Sequence, residues 1–233
     1  MTLCGKNFKA EIQVAERSRV PFFADIQPQS FIEPNELKFR TSQNIERLGT
    51  SIQIIRGTSV INAKVLIAPL TRISTPRTLQ LIRTASFPTD CGILGGDLFL
   101  NIPNNKYYLF LIETRIETGN DNAAIEGMIS WCNHVAVHSR LINRPTGVGG
   151  VKGEFSMLRD DIRVSIEFIS STLREKEPGI FRDSSHRCYV PANIGVQPLD
   201  RLNIVGEDFR VDDIDPVTYP GISYCMLSRE TRR

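Results

Sequence analysis

Residues 200–233 read DRLNIVGEDFRVDDIDPVTYPGISYCMLSRETRR, and the alternation within them decides the fold. In Arg201-Leu-Asn-Ile204 and again in Asp208-Phe-Arg-Val-Asp-Asp-Ile214, apolar residues fall on every second position or nearly so, with Val205-Gly206-Glu207 between the runs. That is the pattern of a β-hairpin with one face buried. Asp215-Pro216 ends the second strand. Tyr219-Pro220-Gly221 supplies a turn, because proline presets φ at one turn position and glycine accepts a positive φ at the next. Ile222 to Leu227 is the third strand. A meander of three strands cannot cover both its faces or protect its edges, so it requires further strands, as a barrel or sandwich.

The rest of the chain is large enough to supply them. It has 233 residues, 41% of them hydrophobic and 23% charged, which suits a globular protein of two small domains. No apolar run approaches the ~20 residues of a membrane helix, and Met1-Thr-Leu-Cys-Gly-Lys6 has no signal-peptide core, so no membrane partner and a cytoplasmic setting are expected. Cys4, Cys91, Cys132, Cys188 and Cys225 are widely spaced with no C-x-x-C, which predicts reduced, mostly buried thiols in place of a disulfide framework or zinc ribbon. A net charge of +2 lacks the footprint of a dedicated nucleic-acid reader.

Residues 1–19 are expected to form an arm or short helix, and Val20 to Pro28 an edge strand bracketed by prolines. Pro34 to Gly49 is the most helix-like stretch. From Ser51 the character turns to β: Val60–Leu70, Thr78–Thr84, a hairpin of Leu98–Ile102 with Lys106–Ile116, a polar loop at Glu117–Asn122, and a strand from Ile125 to about His138. Asn143 to Gly153 (NRPTGVGGVKG) is the richest breaker segment and predicts a linker between domains at 20–142 and 154–233. Strands at Ile162–Ser171 and Arg187–Pro191 then lead, through a charged loop at Lys176-Glu-Pro-Gly179, to the closing meander.

The two halves read as a repeat. Gly96-Asp-Leu-Phe-Leu-Asn-Ile102, Lys106–Glu113 and Ile129-Ser-Trp-Cys132 align in order with Leu199-Asp-Arg-Leu-Asn-Ile204, Asp208–Asp215 and Ile222-Ser-Tyr-Cys225, with a longer loop in the first copy. Asp97 matches Asp200, and Asn101 matches Asn203 within one position. Upstream, Val65–Leu70 would correspond to Ile162–Ile169 and Cys91 to Cys188. The prediction is an all-β protein of two tandem small antiparallel barrels or sandwiches.

Candidate chemistry reduces to bland readings. Cys132, His134 and His138 share parity on a strand, but residues four apart lie about 13 Å apart at ~3.3 Å per residue, too far for one tetrahedral ion. Gly147-Val-Gly-Gly-Val-Lys152 lacks the Gly-Lys-Ser/Thr of a phosphate loop. Asp212, Asp213 and Asp215 read as a solvated strand end. Ser184-Ser185-His186 pairs a hydroxyl with an imidazole, but neighbours on an extended chain point to opposite faces and no nucleophile elbow is present. Phe99, Tyr107, Tyr108, Phe110 and Trp131 suit packing better than base stacking. Neither a catalytic residue nor a cofactor nor a metal is expected.

The closing stretch, with Gly206, Phe209-Arg-Val211, Tyr219-Pro-Gly221 and Leu227-Ser-Arg-Glu-Thr-Arg232, resembles the C-terminal meander of tailed-bacteriophage neck proteins of the head-closure, stopper and head-to-tail joining kind. Ala24-Asp-Ile-Gln-Pro-Gln-Ser30 resembles the first barrel strand of such proteins. The resemblance covers about a third of the chain, which is about twice as long as single-barrel members. It implies a homo-oligomeric ring, twelvefold or sixfold, between portal or adaptor proteins and the tail or tail terminator of a virion assembled in the host cytoplasm. Such a ring continues the DNA channel and helps to retain packaged double-stranded DNA. The expected assembly or channel loops are Asn120 and Asp121; Thr146, Gly147, Gly149, Gly150 and Lys152; Tyr219, Pro220 and Gly221; and Arg229, Arg232 and Arg233. A tail-terminator or baseplate ring protein, and a β-sandwich binding module or hydrolase, are the alternatives.

Overall fold

A computed structural model describes residues 34–69, 81–118, 121–145, 151–176, 180 and 183–231. The expected arm at 1–19 and the edge strand at Val20–Pro28 lie outside them, as do Asn120, Thr146, Gly147, Gly149, Gly150, Arg232 and Arg233. The protein is all-β apart from short helices. Helix α1, Pro34–Leu48, opens on a proline whose fixed φ suits a first turn, and Gly49 closes it with its N–H on the Ile45 carbonyl at 2.8 Å.

The first barrel comprises β1 (Thr50–Arg56), β2 (Ser59–Pro69), β3 (Ile82–Phe87), β4 (Leu98–Asn101), β5 (Lys106–Thr118) and β6 (Asp121–Trp131). They close in the order β1-β2-β3-β6-β5-β4, every neighbour antiparallel, with β4 returning to β1. The second comprises β7 (His134–Pro145), β8 (Val151–Phe168), β9 (His186–Pro191), β10 (Arg201–Ile204), β11 (Glu207–Asp215) and β12 (Ile222–Arg229), closed in the same order. Helix α2, Ser171–Lys176, follows β8. Closure pairs the backbone of each meander in full, which is how a three-stranded ribbon escapes its edge problem. Phe87, Phe99 and Phe110 fill the first core, with ring centroids 5.4–5.6 Å from Phe87 at near-right angles. The second core is aliphatic, around Val164, Val190, Leu202, Val211 and Leu227, with Cys188 and Cys225 as small fillers. Cys91, Cys132, Cys188 and Cys225 are free and buried, as expected. Burial pushes the thiols of Cys132 and Cys225 up to about 12, which keeps them protonated and inert.

Three expectations are corrected by the topology. The strand at Ile125–His138 is two strands, and the barrels meet at Cys132-Asn133 between them. Asn143–Gly153 is therefore no domain boundary: Asn143 pairs with Gly153 and Arg144 with Lys152 between β7 and β8, two strands of the second barrel. Glu117–Asn122 is not a polar loop either, since Glu117 pairs with Asn122 and Thr118 with Asp121 at the end of the β5–β6 hairpin.

The repeat itself is present, in a different register. A bulge at Leu111 in β5 recurs at Asp212 in β11. A single 3₁₀ turn lies between Pro88 and a left-handed Gly92, and its copy between Pro191 and a left-handed Gly195. Cys91 thus corresponds to Ile194, not to Cys188. Pairing sets Ile129 opposite Phe110 and Leu227 opposite Val211, so Ile129-Ser-Trp-Cys132 corresponds to Leu227-Ser-Arg-Glu230 and not to Ile222-Ser-Tyr-Cys225. Asn101 likewise matches Ile204.

The two barrels are joined by an apolar interface. Ile82, Leu109, Leu111 and Cys132 on the outside of the first pack with Tyr189 and Ile222 on the outside of the second, flanked by Tyr107, Tyr219 and Tyr224. Ser130 and Ser165 share a buried 2.7 Å hydroxyl contact. The backbones touch directly where Gly95-Gly96 meets Pro220-Gly221: a Cβ on Gly221, whose φ is +83°, would stand 2.0 Å from the Gly95 carbonyl oxygen. Gly221 is therefore required for close approach as well as for its turn. Gly221→Ala should lower stability by at least about 2 kcal/mol, read as a drop in urea midpoint, while a substitution at Gly206, whose added Cβ meets open space, costs only the strain of its positive φ. Val205 and Gly206 form the two-residue β10–β11 turn with φ of +54° and +82°. A β-branched residue there carries about 1–2 kcal/mol of strain, so Val205→Asn should raise the melting temperature.

Candidate functional site

Among the described residues, both barrels build a clasp between an arginine on the first strand and an aspartate before the fourth. Arg56 sits at the end of β1 and directs its guanidinium to Asp97, with Nε 3.0 Å from Oδ1 and Nη2 bonding both Oδ2 and, at 2.9 Å, the Gly92 carbonyl. The Leu94 N–H donates to Asp97 Oδ2 at 2.9 Å. In the second barrel Arg140 places Nε 2.8 Å from Asp200 Oδ1 and Nη2 2.8 Å from Oδ2, with Nη2 also 2.9 Å from the Gly195 carbonyl. The Gln197 N–H donates to Asp200 at 2.7 Å. Each clasp ties strand one to the 3₁₀ turn and to the start of strand four, and so closes the barrel where its ladder is shortest. Bidentate geometry of this kind is specific to arginine.

The second clasp carries one addition. His138, fully buried, donates from Nε2 to Asp200 Oδ2 at 2.7 Å, and its Nδ1 has no hydrogen-bond partner among the described residues. The corresponding residue of the first barrel is Ile54. Burial works against the Asp200 carboxylate, but the hydrogen bonds from Arg140, His138 and the Gln197 N–H outweigh it and hold the carboxyl below its ordinary range.

The anticipated metal and nucleophile residues do not converge. Cys132 lies in the interface between the barrels, His138 is committed to Asp200, and His134 opens onto a cleft of about 340 Å³ at the end of the second barrel with Phe168, His186, Val205, Glu207 and Phe209. Among the described residues no group of three histidines, cysteines or acids has metal-binding geometry. Ser184 donates to Asp212 at 2.7 Å. Ser185 does reach the His186 ring, 2.9 Å from Nδ1, because residues 184–185 precede β9 and are not extended within it. Burial pushes the His186 imidazole down, and the ring is held edge-on between Phe168 and Phe209 at centroid distances of 5.5 and 5.0 Å. This is an aromatic packing site.

Of the expected assembly loops, Tyr219, Pro220 and Gly221 lie in the interface between the two barrels and are taken up within the chain. Asp121 and Lys152 sit in paired strands. Arg229 is exposed and forms an ion pair with Glu207 at 2.7 Å. Of the acidic trio, Asp212 is held by Ser184, Ser228 and Arg210, and Asp215 accepts from Val217 and Thr218 as a turn cap. Of the aromatics, Phe99, Tyr108 and Phe110 are core, Trp131 packs on that core beneath Lys106, and Tyr107 faces outward under Arg163. What the sequence reading missed is the arginine of each clasp. Its signal was present: Asp97 and Asp200 align, and a pair of buried aspartates in matching loops calls for a cation in each barrel.

No family model matches the sequence, and no curated protein does. Among solved structures, a chain described as "MrkH, A novel c-di-GMP dependence transcription regulatory factor" is similar at 11% identity, over 87% of this chain and 85% of that one, with a TM-score of 0.19. A superposition that loose carries no statement about this protein.

Asp200→Asn should cost about 2–4 kcal/mol at neutral pH, because it removes the charge facing Arg140 and puts an NH2 donor in place of one of the two oxygens that Arg140 and His138 share. The Asp200 carboxyl is depressed in the fold, so its contribution is present above the unfolded carboxylate range near pH 4 and is lost as pH falls through the folded value. Wild type and variant melting temperatures should therefore converge as the pH falls below the unfolded carboxylate range.

Proposed function

We propose that this chain is a structural subunit of a tailed-phage neck, forming a ring between portal or adaptor and tail that continues the DNA channel and helps to retain packaged DNA. The observation that carries it is the use to which the polar interior is put. Both buried aspartates are spent on closing barrels, and the one pair of barrels is welded through an apolar face and a glycine contact. Such a body is a spacer with fixed geometry, which is what a ring subunit under the pressure of packaged DNA requires. The meander phrases that resemble neck proteins lie on β10, β11 and β12, the strands that close the second barrel. The arms projecting from such a body are hairpins: β7 and β8 pair from Arg140–Ser156 out to Pro145–Val151, past the residues that β10 holds. Lys152 stands on that hairpin, where a channel loop would be placed.

Tail-terminator and baseplate rings use the same architecture, and a partner assay separates them. Sizing by light scattering, alone and with purified portal or tail-tube protein, should give an assembly of six or twelve subunits or co-elution with portal. Co-elution with tail tube alone would move the chain to the tail side. A monomer indifferent to both would overturn the reading.

A further inference from the structure

The barrels of one chain meet head to tail. The first barrel contributes its outer β4–β5–β6 face and the second its outer β9–β12 face, so the same two faces exist once more at the two ends of the pair. At the head end the face has changed in chemistry, position by position. Leu98, Tyr107, Leu109, Leu111 and Cys132 correspond to Arg201, Asp208, Arg210, Asp212 and Glu230. The charges are ordered: Arg201 with Asp208 at 3.2 Å and Arg210 with Asp212 at 2.9 Å. Asp213, at the position of Ile112, is exposed and has no ion-pair partner among the described residues. Beside this face the β7–β8 hairpin adds an apolar flank of Leu141 and Met157, 40% and 64% exposed, and Arg201 lies 3.5 Å over Phe155 between face and flank.

At the tail end, α1 packs over β6 and β2 of the first barrel, with Ile45 buried. These strands correspond to β12 and β8, so the helix stands on the first barrel where the first barrel stands on the second. Fully buried Ala124 is the counterpart of Ile222 in the interface. Opposite Ile45, the helix turns Phe39, Gln43 and Arg47 outward at i, i+4, i+8 spacing; Phe39 is 62% exposed, and Arg47 has no ion-pair partner among the described residues.

We propose that the charged outer face of β10–β11, with Leu141 and Met157 beside it, docks on the outward face of α1 in a second copy of this chain. The contact continues across chains the head-to-tail operation already made within one, and presupposes the ring proposed above. Charge complements charge, Asp213 to Arg47 of the second copy, and the exposed Phe39 ring meets the Leu141–Met157 flank. A polar face with an apolar edge is the composition of an interface that forms after folding, whereas the apolar version inside the chain would be insoluble if left open. Being heterologous, the contact generates a ring when its rotation closes.

The experiment is a charge swap followed by sizing. Asp213→Arg and Arg47→Asp should each reduce the assembled fraction at least tenfold at a protein concentration where wild type is assembled, and the double variant should recover it. Met157→Glu should act like either single change. Circular dichroism melts guard against misfolding, since all three positions are exposed. Assembled wild type with single variants unaffected, or a double variant that fails to recover, would overturn this contact and leave the ring standing. A wild type that never assembles, alone or with portal, would overturn the ring as well.

Discussion

Each barrel depends on one buried carboxylate. Asp97 and Asp200 sit at the same place in their repeats, and each receives the forked guanidinium of an arginine some forty to sixty residues away together with a backbone N–H three residues before it. The fourth strand of each barrel has only four residues, too short a ladder to hold the seam unaided, and the clasp fastens it to strand one and to the preceding 3₁₀ turn. A carboxylate taken out of water this far is stable only because both of its oxygens accept hydrogen bonds from a guanidinium. The seam, the turn and the registers of β4 and β10 follow from that requirement.

Duplication then set the two copies different tasks. The first core is aromatic and the second aliphatic, and the first outer face is apolar because the second barrel covers it. The corresponding outer face of the second barrel is charged because no barrel of the same chain covers it. One difference lies inside: Ile54 in the first barrel is His138 in the second, where it adds a third kind of donor to the carboxylate and leaves one ring nitrogen without a partner among the described residues.

Much of this was legible in sequence where the signal is local. Alternation gave β10, β11, β12 and the Leu98–Lys106 hairpin, and Asp97 with Asp200 exposed the repeat. The boundary was missed because strand breakers are concentrated within residues 143–153, between two strands of one barrel, while Cys132-Asn133 contains neither glycine nor proline. Asn133 does the work of a breaker with its side chain, which bonds both the N–H and the carbonyl of Ile166 at 2.9 Å. The Ile-Ser-aromatic-Cys phrase misled by five residues because four residues are too few to set a register; the bulges at Leu111 and Asp212 fix it. The clasps were harder to read, since their partners are 41 and 60 residues apart and only the alignment of Asp97 with Asp200 points to them.

The joint at Cys132-Asn133 has a further consequence. Two residues span about 7 Å, and both are anchored, Cys132 through its N–H to the Tyr107 carbonyl and Asn133 through its side chain to Ile166. A connection so short, and held on both sides, leaves no slack between the end of β6 and the start of β7. The step from one barrel to the next is thereby fixed within a single chain, by two residues and the groups that hold them.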